Sequence, residues 1–312
     1  MKYKYPYFDA HCDTLTKLYK NNDSLNNSSY MVNISSLKKY SSMTEVFAIY
    51  NSGEYFKKDV SDILNYLKKE CATYPGFISF EKSIKGIVKN CMSGKITALA
   101  SIENLGSQPD FSLKDISYYK SLGIIIMGLC HNDDNILCGG AGNNNSGLTS
   151  LGKAALRQMQ ENGVILDVSH MSDKSFWEAT AEYSLPFMAT HSNSRAICPN
   201  VRNLTDEQFV YLAKRGGICG INFYPPFVSD ENADVNAVIK HIEHFMGLGG
   251  EDAICIGSDF DGAEKMAKNL ENTACVYRIF DKLLAINYNE TVINKIAFNN
   301  FHNFLKKYET LS

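Results

Sequence analysis

The stretch Tyr7-Phe8-Asp9-Ala10-His11-Cys12-Asp13 is a short apolar run closed by a histidine and an aspartate two positions apart. In a strand, residues i and i+2 point to the same face, so His11 and Asp13 present an imidazole and a carboxylate side by side. That pair is half of a first-row metal site. It also discriminates between folds. An open doubly wound sheet would place a glycine-rich phosphate loop after an early strand. Here His-Cys-Asp stands in that place, and no G-x-G-x-x-G or P-loop pattern occurs anywhere in the chain.

Working outward, eight short apolar runs are found, at residues 7–12, 44–50, 97–102, 124–130, 164–169, 186–190, 217–223 and 253–258. Helical periodicity separates many of them, over 59–70, 83–92, 151–162, 206–215, 234–247, 273–286 and 290–308. Thr149-Ser150 and Thr205 are the expected caps of two of these helices, and glycines follow both. Strand–helix alternation argues for a parallel sheet wrapped in helices, and eight units argue for a closed (β/α)8 barrel. The expectation is an α/β (β/α)8 TIM barrel, one domain over 1–312, with a helical insertion at 51–96 between the second and third runs. Residues 139–147, rich in Gly and Asn, follow the fourth run and read either as a mobile lid or as an unconstrained loop.

Composition narrows the classes. Hydrophobic residues make up 45% of 312, enough for a sizeable core. The net charge of -3, with no long basic run, argues against nucleic acid. No stretch of about 18 apolar residues would span a membrane. Nine cysteines without a C-x-x-C pair argue against a disulfide framework or zinc ribbon, and a reducing cytoplasm is the expected setting. A homo-oligomer is compatible with all of this.

In such a barrel, chemistry is carried at the C-terminal ends of different strands. His11 and Asp13 end run one, Glu103 run three, His131 run four, His170 run five, His191 run six, and Asp259 run eight. His241, His244 and His302 fall in helical patterns instead and are expected to pack or face solvent. Seven imidazoles and carboxylates meeting at one mouth need a cation to offset desolvation and repulsion. Mixed His/Asp/Glu ligation without cysteine suits zinc, or else manganese, iron or cobalt. There are too many ligands for one tetrahedral ion, whereas two ions about 3.5–4 Å apart, bridged by a carboxylate and a hydroxide, would use them.

These residues carry a resemblance. The segments 8–15, 101–103, 131–132, 147–152, 166–172, 190–194, 201–203 and 257–262 resemble, in order and spacing along nearly the whole chain, the membrane (renal) dipeptidase family of zinc metallopeptidases, in the amidohydrolase-type barrel group. The resemblance implies that His11 and Asp13 hold one Zn2+, that His170 and His191 hold another, and that Glu103 bridges both. It implies that His131 lies at the substrate carbonyl, that Arg202 binds a free C-terminal carboxylate, and that Asp259 handles protons. It further implies hydrolysis of small dipeptide substrates by a hydroxide held between two zinc ions, with D-residues accepted on the C-terminal side. The chain departs from the family at Asn104-Leu105, where glycines usually follow the bridging glutamate, and at Leu122-Gly123-Ile124-Ile125, where an Arg often stands. Membrane association is not expected, since neither a signal peptide nor a lipid-anchor tail is apparent. Another binuclear-metal hydrolase of the same barrel group, acting as a deaminase, lactonase or amidase, is the alternative.

Overall fold

The computed structural model of the protein describes residues 2–91, 94–143 and 145–312. Its strands are β1 (Tyr7–Cys12), β2 (Met43–Tyr50), β3 (Ile78–Phe80), β4 (Ile96–Glu103), β5 (Ile124–Gly128), β6 (Ile165–Asp167), β7 (Met188–Ala189), β8 (Ile218–Ile221) and β9 (Ile254–Ile256). All pair in parallel in the order β2-β1-β9-β8-β7-β6-β5-β4-β3, and β4 also pairs with β2 from Met43↔Ile96 to Tyr50↔Glu103. That last pairing closes β1, β2 and β4 to β9 into an eight-stranded barrel wrapped by helices, as the eight apolar runs predict.

The insertion at 51–96 is not purely helical. Between the helices Lys57–Thr73 and Ile84–Cys91 lies β3, which takes the edge of β4 over Ile96–Ala98, just before β5 takes over at Ala100. Three residues are too few for a period to show in a sequence. The last position of the expected helix 83–92, Met92, lies outside the described residues. The expected helix 290–308 is instead Glu290–Asn294, a π-helical turn Lys295–Asn299 and the helix Asn300–Leu311. Thr149 and Thr205 do cap their helices, accepting from the backbone N–H of Gly152 and Gln208.

Two packing layers follow from strand alternation. Phe8, Val46, Leu99, Ile126, Ile165, Met188, Ile218 and Cys255, one from each barrel strand, form a single buried cluster and so fill the interior. Its floor is closed by Ile84 and Ile87 and by Phe301, Phe304 and Leu305 of the helix Asn300–Leu311, with the Phe301 ring 4.0 Å from Phe8. The alternate residues, such as Tyr7, Met43, Phe47 and Ile102, pack outward under the helices. The apolar floor leaves the opposite rim, at the strand C-termini, for polar groups.

One irregularity aims the first polar group. In the β1–β2 register Asp9 faces Glu45, but Cys12 faces Phe47, so β1 carries an extra residue between them. Phe8 and Ala10 point into the barrel while Cys12 points outward, and the bulge therefore turns His11 inward at the mouth. Asp9 pins it: its Oδ1 accepts from the N–H of Ser258 at 2.8 Å and of His11 at 3.4 Å.

The described part of the Gly/Asn-rich loop is tied down. Asn144, within it, lies outside the described residues. Asp134 accepts from the Gly140 N–H, the Asn143 amide and the Ser146 hydroxyl, and Ala141 N–H donates to the His170 carbonyl at 2.7 Å. A Cβ at Gly140 would lie 2.4 Å from the His131 and Asn132 backbone, so glycine here permits close approach to two residues of the mouth. Among the described residues no helix is long and apolar enough to cross a membrane. The described cysteine side chains are unpaired and all but Cys275 are buried, which fits small buried hydrophobes.

Candidate metal centre and substrate cavity

The structure brings His11, Asp13, Glu103, His170, His191 and Asp259 together at the barrel mouth. His11 is in β1, and Asp13 stands at the position just before the helix Thr14–Asn21, its side chain making no capping bond. Glu103 is the last residue of β4, while His170, His191 and Asp259 stand two or three residues past β6, β7 and β9. His11 Nε2 lies 3.3 Å from Asp13 Oδ2, 3.7 Å from Glu103 Oε2 and 4.0 Å from Asp259 Oδ1. Glu103 Oε1 lies 2.6 Å from His170 Nε2 and 3.7 Å from His191 Nε2. Two triads with metal-holding geometry result, His11/Asp13/Glu103 and Glu103/His170/His191, and they share Glu103. His11, His191 and Asp259 form a third grouping.

The donor set fits a cation on chemical grounds. Thr190 Oγ1 donates to Asp167 Oδ2 at 2.5 Å, so it accepts from His191 Nδ1, 2.8 Å away. His170 Nδ1 faces the Asn132 Oδ1 acceptor at 2.9 Å. Both rings thus have Nδ1 engaged as donor and turn an Nε2 lone pair to the centre, where the two Nε2 atoms are 2.7 Å apart. Two acceptors at that distance repel unless a cation lies between or beside them. The carboxylates agree. Burial pushes Glu103 well above the usual range; His11 opposes this, while Asp13, Asp259 and Asp167 add to it. Burial works against a charged His11, but Asp13, Glu103 and Asp259 outweigh it and raise it to about 10. Burial holds His170 and His191 well below the ordinary histidine value, in the neutral form that ligates metals.

Backbone strain gathers at the same rim. Asn104, His170, Asp259 and Asp261 adopt φ of 68°, 71°, 65° and 65°, a region non-glycine residues seldom enter. Each re-aims the chain within a few residues of a strand end.

A cavity of about 880 Å³ opens over the cluster, within the range of small-molecule sites. Asp13, Glu103, His131, His170 and Asp259 line its depth, and Tyr50, Tyr224 and Phe227 its walls. His131 lies with its ring centroid 4.1 Å from that of His170, and burial, reinforced by Arg202, lowers it to about 4. Arg202 is placed differently. It is 5% exposed and does not line this cavity; its guanidinium packs 5.3 Å from the Phe227 ring and donates to the His191 carbonyl at 3.0 Å. Among the described residues no carboxylate pairs with it, and its Nε has no partner. His241, away from the mouth, is buried and fully used: Nδ1 accepts from Ser194 N–H and Nε2 meets the Val228 carbonyl.

Several contributors escape sequence reasoning. Asn222, just past β8, donates to Asp259 Oδ2 at 2.9 Å. Asn132 and Thr190 orient two histidines, and the one signal available was their adjacency to His131 and His191.

Comparison with known proteins identifies a family and a fold. The family model described as "Membrane dipeptidase (Peptidase family M19)" matches residues 1–312. A protein encoded in the pqqA 5′ region of Klebsiella pneumoniae is 32% identical over 234 residues, 70% of this chain and 85% of its own. An uncharacterized dipeptidase of Schizosaccharomyces pombe is 28% identical over 254 residues, 80% of this chain but only 62% of its own length. A metallopeptidase of Rhodobacter sphaeroides, solved with a phosphinate mimic of the dipeptide L-Ala-D-Ala, superposes with a TM-score of 0.88 at 20% identity, covering 98% of this chain and 100% of that one. At that identity the likeness establishes the barrel fold alone.

Proposed function

Because the chain belongs to the membrane dipeptidase family, peptidase family M19, we propose that it hydrolyses dipeptides bearing a free C-terminal carboxylate with the help of two zinc ions. The observation that carries this reading is the pair of buried triads that share Glu103. His11, Asp13 and Glu103 would hold one ion, and Glu103, His170 and His191 the other. Bound there, the ions would supply an activated water nucleophile and polarise the scissile carbonyl.

The chain's own groups do the rest. Asp259 is held by Asn222 beside the cluster, and from there it would take a proton from the nucleophile and return it to the departing amine. His131 is neutral at physiological pH and would donate an N–H to the carbonyl oxygen as charge develops there. Among the described residues no carboxylate partners the buried Arg202 guanidinium, a costly arrangement that an incoming carboxylate would relieve. The Rhodobacter protein's ligand mimics a dipeptide with a D-residue at its C-terminus, and we extend that acceptance to this chain.

Metal-saturated protein is expected to contain about two zinc equivalents by elemental analysis and to turn over members of a dipeptide library. A content that stays at zero would refute the reading. A second reading is favoured by one observation, the place of Arg202 outside the lining of the main cavity. It holds that the substrate is a small amide, lactone or amine without a carboxylate. Arg202→Ala separates the two. For a dipeptidase KM should rise by about 10–100-fold, more than kcat falls, as expected for loss of a charged hydrogen-bonded pair. An amidated dipeptide should be hydrolysed equally by both forms. Unchanged preference for free over amidated dipeptides would favour the second reading.

A further inference from the structure

Asn104 directly follows Glu103 and holds φ 68°, ψ 48°, a left-handed conformation that glycine adopts without strain. Asparagine tolerates it but must be favoured there for another reason. Its side chain supplies one. Buried at 7% exposure, it donates from Nδ2 to the Asn51 carbonyl at 2.8 Å, across to the loop after β2. Its Oδ1 accepts from the backbone N–H of His131 at 3.1 Å, from the Asn135 amide at 2.9 Å and from the Ser107 hydroxyl at 2.9 Å. One amide therefore ties the loops after β2, β4 and β5 into a single unit.

The residue most dependent on this unit is His131. Among the described residues no hydrogen bond holds its imidazole, which rests between the rings of His170 and Tyr50, with centroids at 4.1 and 5.0 Å. The polar anchor of His131 is its backbone N–H, and that anchor is Asn104 Oδ1. The same residue is peptide-bonded to Glu103, so the distance between the shared carboxylate and the His131 ring is set through one side chain.

We propose that Asn104 is a positioning residue, which fixes His131 relative to Glu103 for the reacting carbonyl. This rests on the reading that His131 contacts the substrate. The role is tested by a double-mutant cycle on a dipeptide substrate, with Asn104→Gly, His131→Ala and the combined variant, and with Asn104→Asp beside them. Glycine satisfies the backbone angle and removes only the side-chain bonds. Asn104→Gly should keep its zinc content and its circular dichroism but lower kcat by about 10–100-fold, the usual effect of losing an outer-shell partner, with a smaller change in KM. Asn104→Asp keeps the three acceptor contacts and should recover most of kcat. In the His131→Ala background the Asn104→Gly change should cost little more.

Wild-type kinetics in Asn104→Gly, or an equal loss with and without His131, would overturn the positioning role while leaving the His131 reading intact. A His131→Ala enzyme with wild-type kinetics would overturn both.

Discussion

Replacing Glu103 by glutamine is expected to release at least one metal ion and to collapse turnover, with the fold retained. Glu103 belongs to both triads, and its two oxygens face different histidines, Oε2 toward His11 and Oε1 toward His170 and His191. A neutral amide presents one oxygen and one N–H in that place, and the N–H opposes a cation. The loss should exceed the about 10–100-fold that outer-shell substitutions cost. A stability readout makes the result more informative. Burial raises the Glu103 carboxyl, so the folded protein binds a proton there more tightly than the unfolded chain does, and ionising it at neutral pH costs stability. Metal-free Glu103→Gln should therefore melt at or above metal-free wild type. The rise in Tm that zinc gives the wild type should be reduced or absent in the variant. Unchanged zinc content and activity would show that Glu103 is not the bridge.

Asp259→Asn should give the second large effect without the first. Burial pushes this carboxyl up to about 7; Asp13 adds to the shift, and His11, Asn222 and Arg202 oppose it. Bound cations would pull it down again. Beside the cluster it would act as the acid–base group, and its removal should cost about 10²–10⁴ in rate with most of the metal retained. The sign of the pH dependence is fixed by its role. If Asp259 acts as base, wild-type activity falls as pH drops through its ionisation, and that acidic limb should disappear from the residual activity of Asp259→Asn. Loss of both zinc equivalents would instead assign Asp259 to the ligands, as its grouping with His11 and His191 allows.

The barrel, and the side chains that gather at its mouth as a candidate centre, were legible in the sequence for one physical reason. Strands buried on both faces read as apolar runs, and the rim forces each run to end in whatever the chemistry requires. His11, Glu103, His170 and His191 were each marked by that abrupt change. β3 was hidden because Ile78-Ser79-Phe80 is too short to show a period. The bulge in β1 was hidden because an extra residue changes register without changing composition. Asn222 was hidden because a lone asparagine past a strand looks the same whether it turns the chain or holds a neighbour, and Asn104 stood out only as a departure from the family's glycine, with nothing to show what it holds. The left-handed angles at His170 and Asp259 fall on residue types that favour that region, but those types are too common elsewhere to mark it.

The floor of the barrel has a consequence for how the molecule is made. Phe8 and Phe301 pack ring against ring in the interior although they are about 290 residues apart in the chain. On the ribosome, the first strand emerges long before the helix that seals the bottom of its barrel. At about 5–20 residues per second the wait is tens of seconds. During that time the interior faces of the early strands have no lid, and His11 and Asp13 have no Asp259 beside them. The nascent chain therefore carries apolar strand faces that stay uncovered at the floor until Asn300–Leu311 docks. Chaperone dependence should consequently persist until that last helix is made.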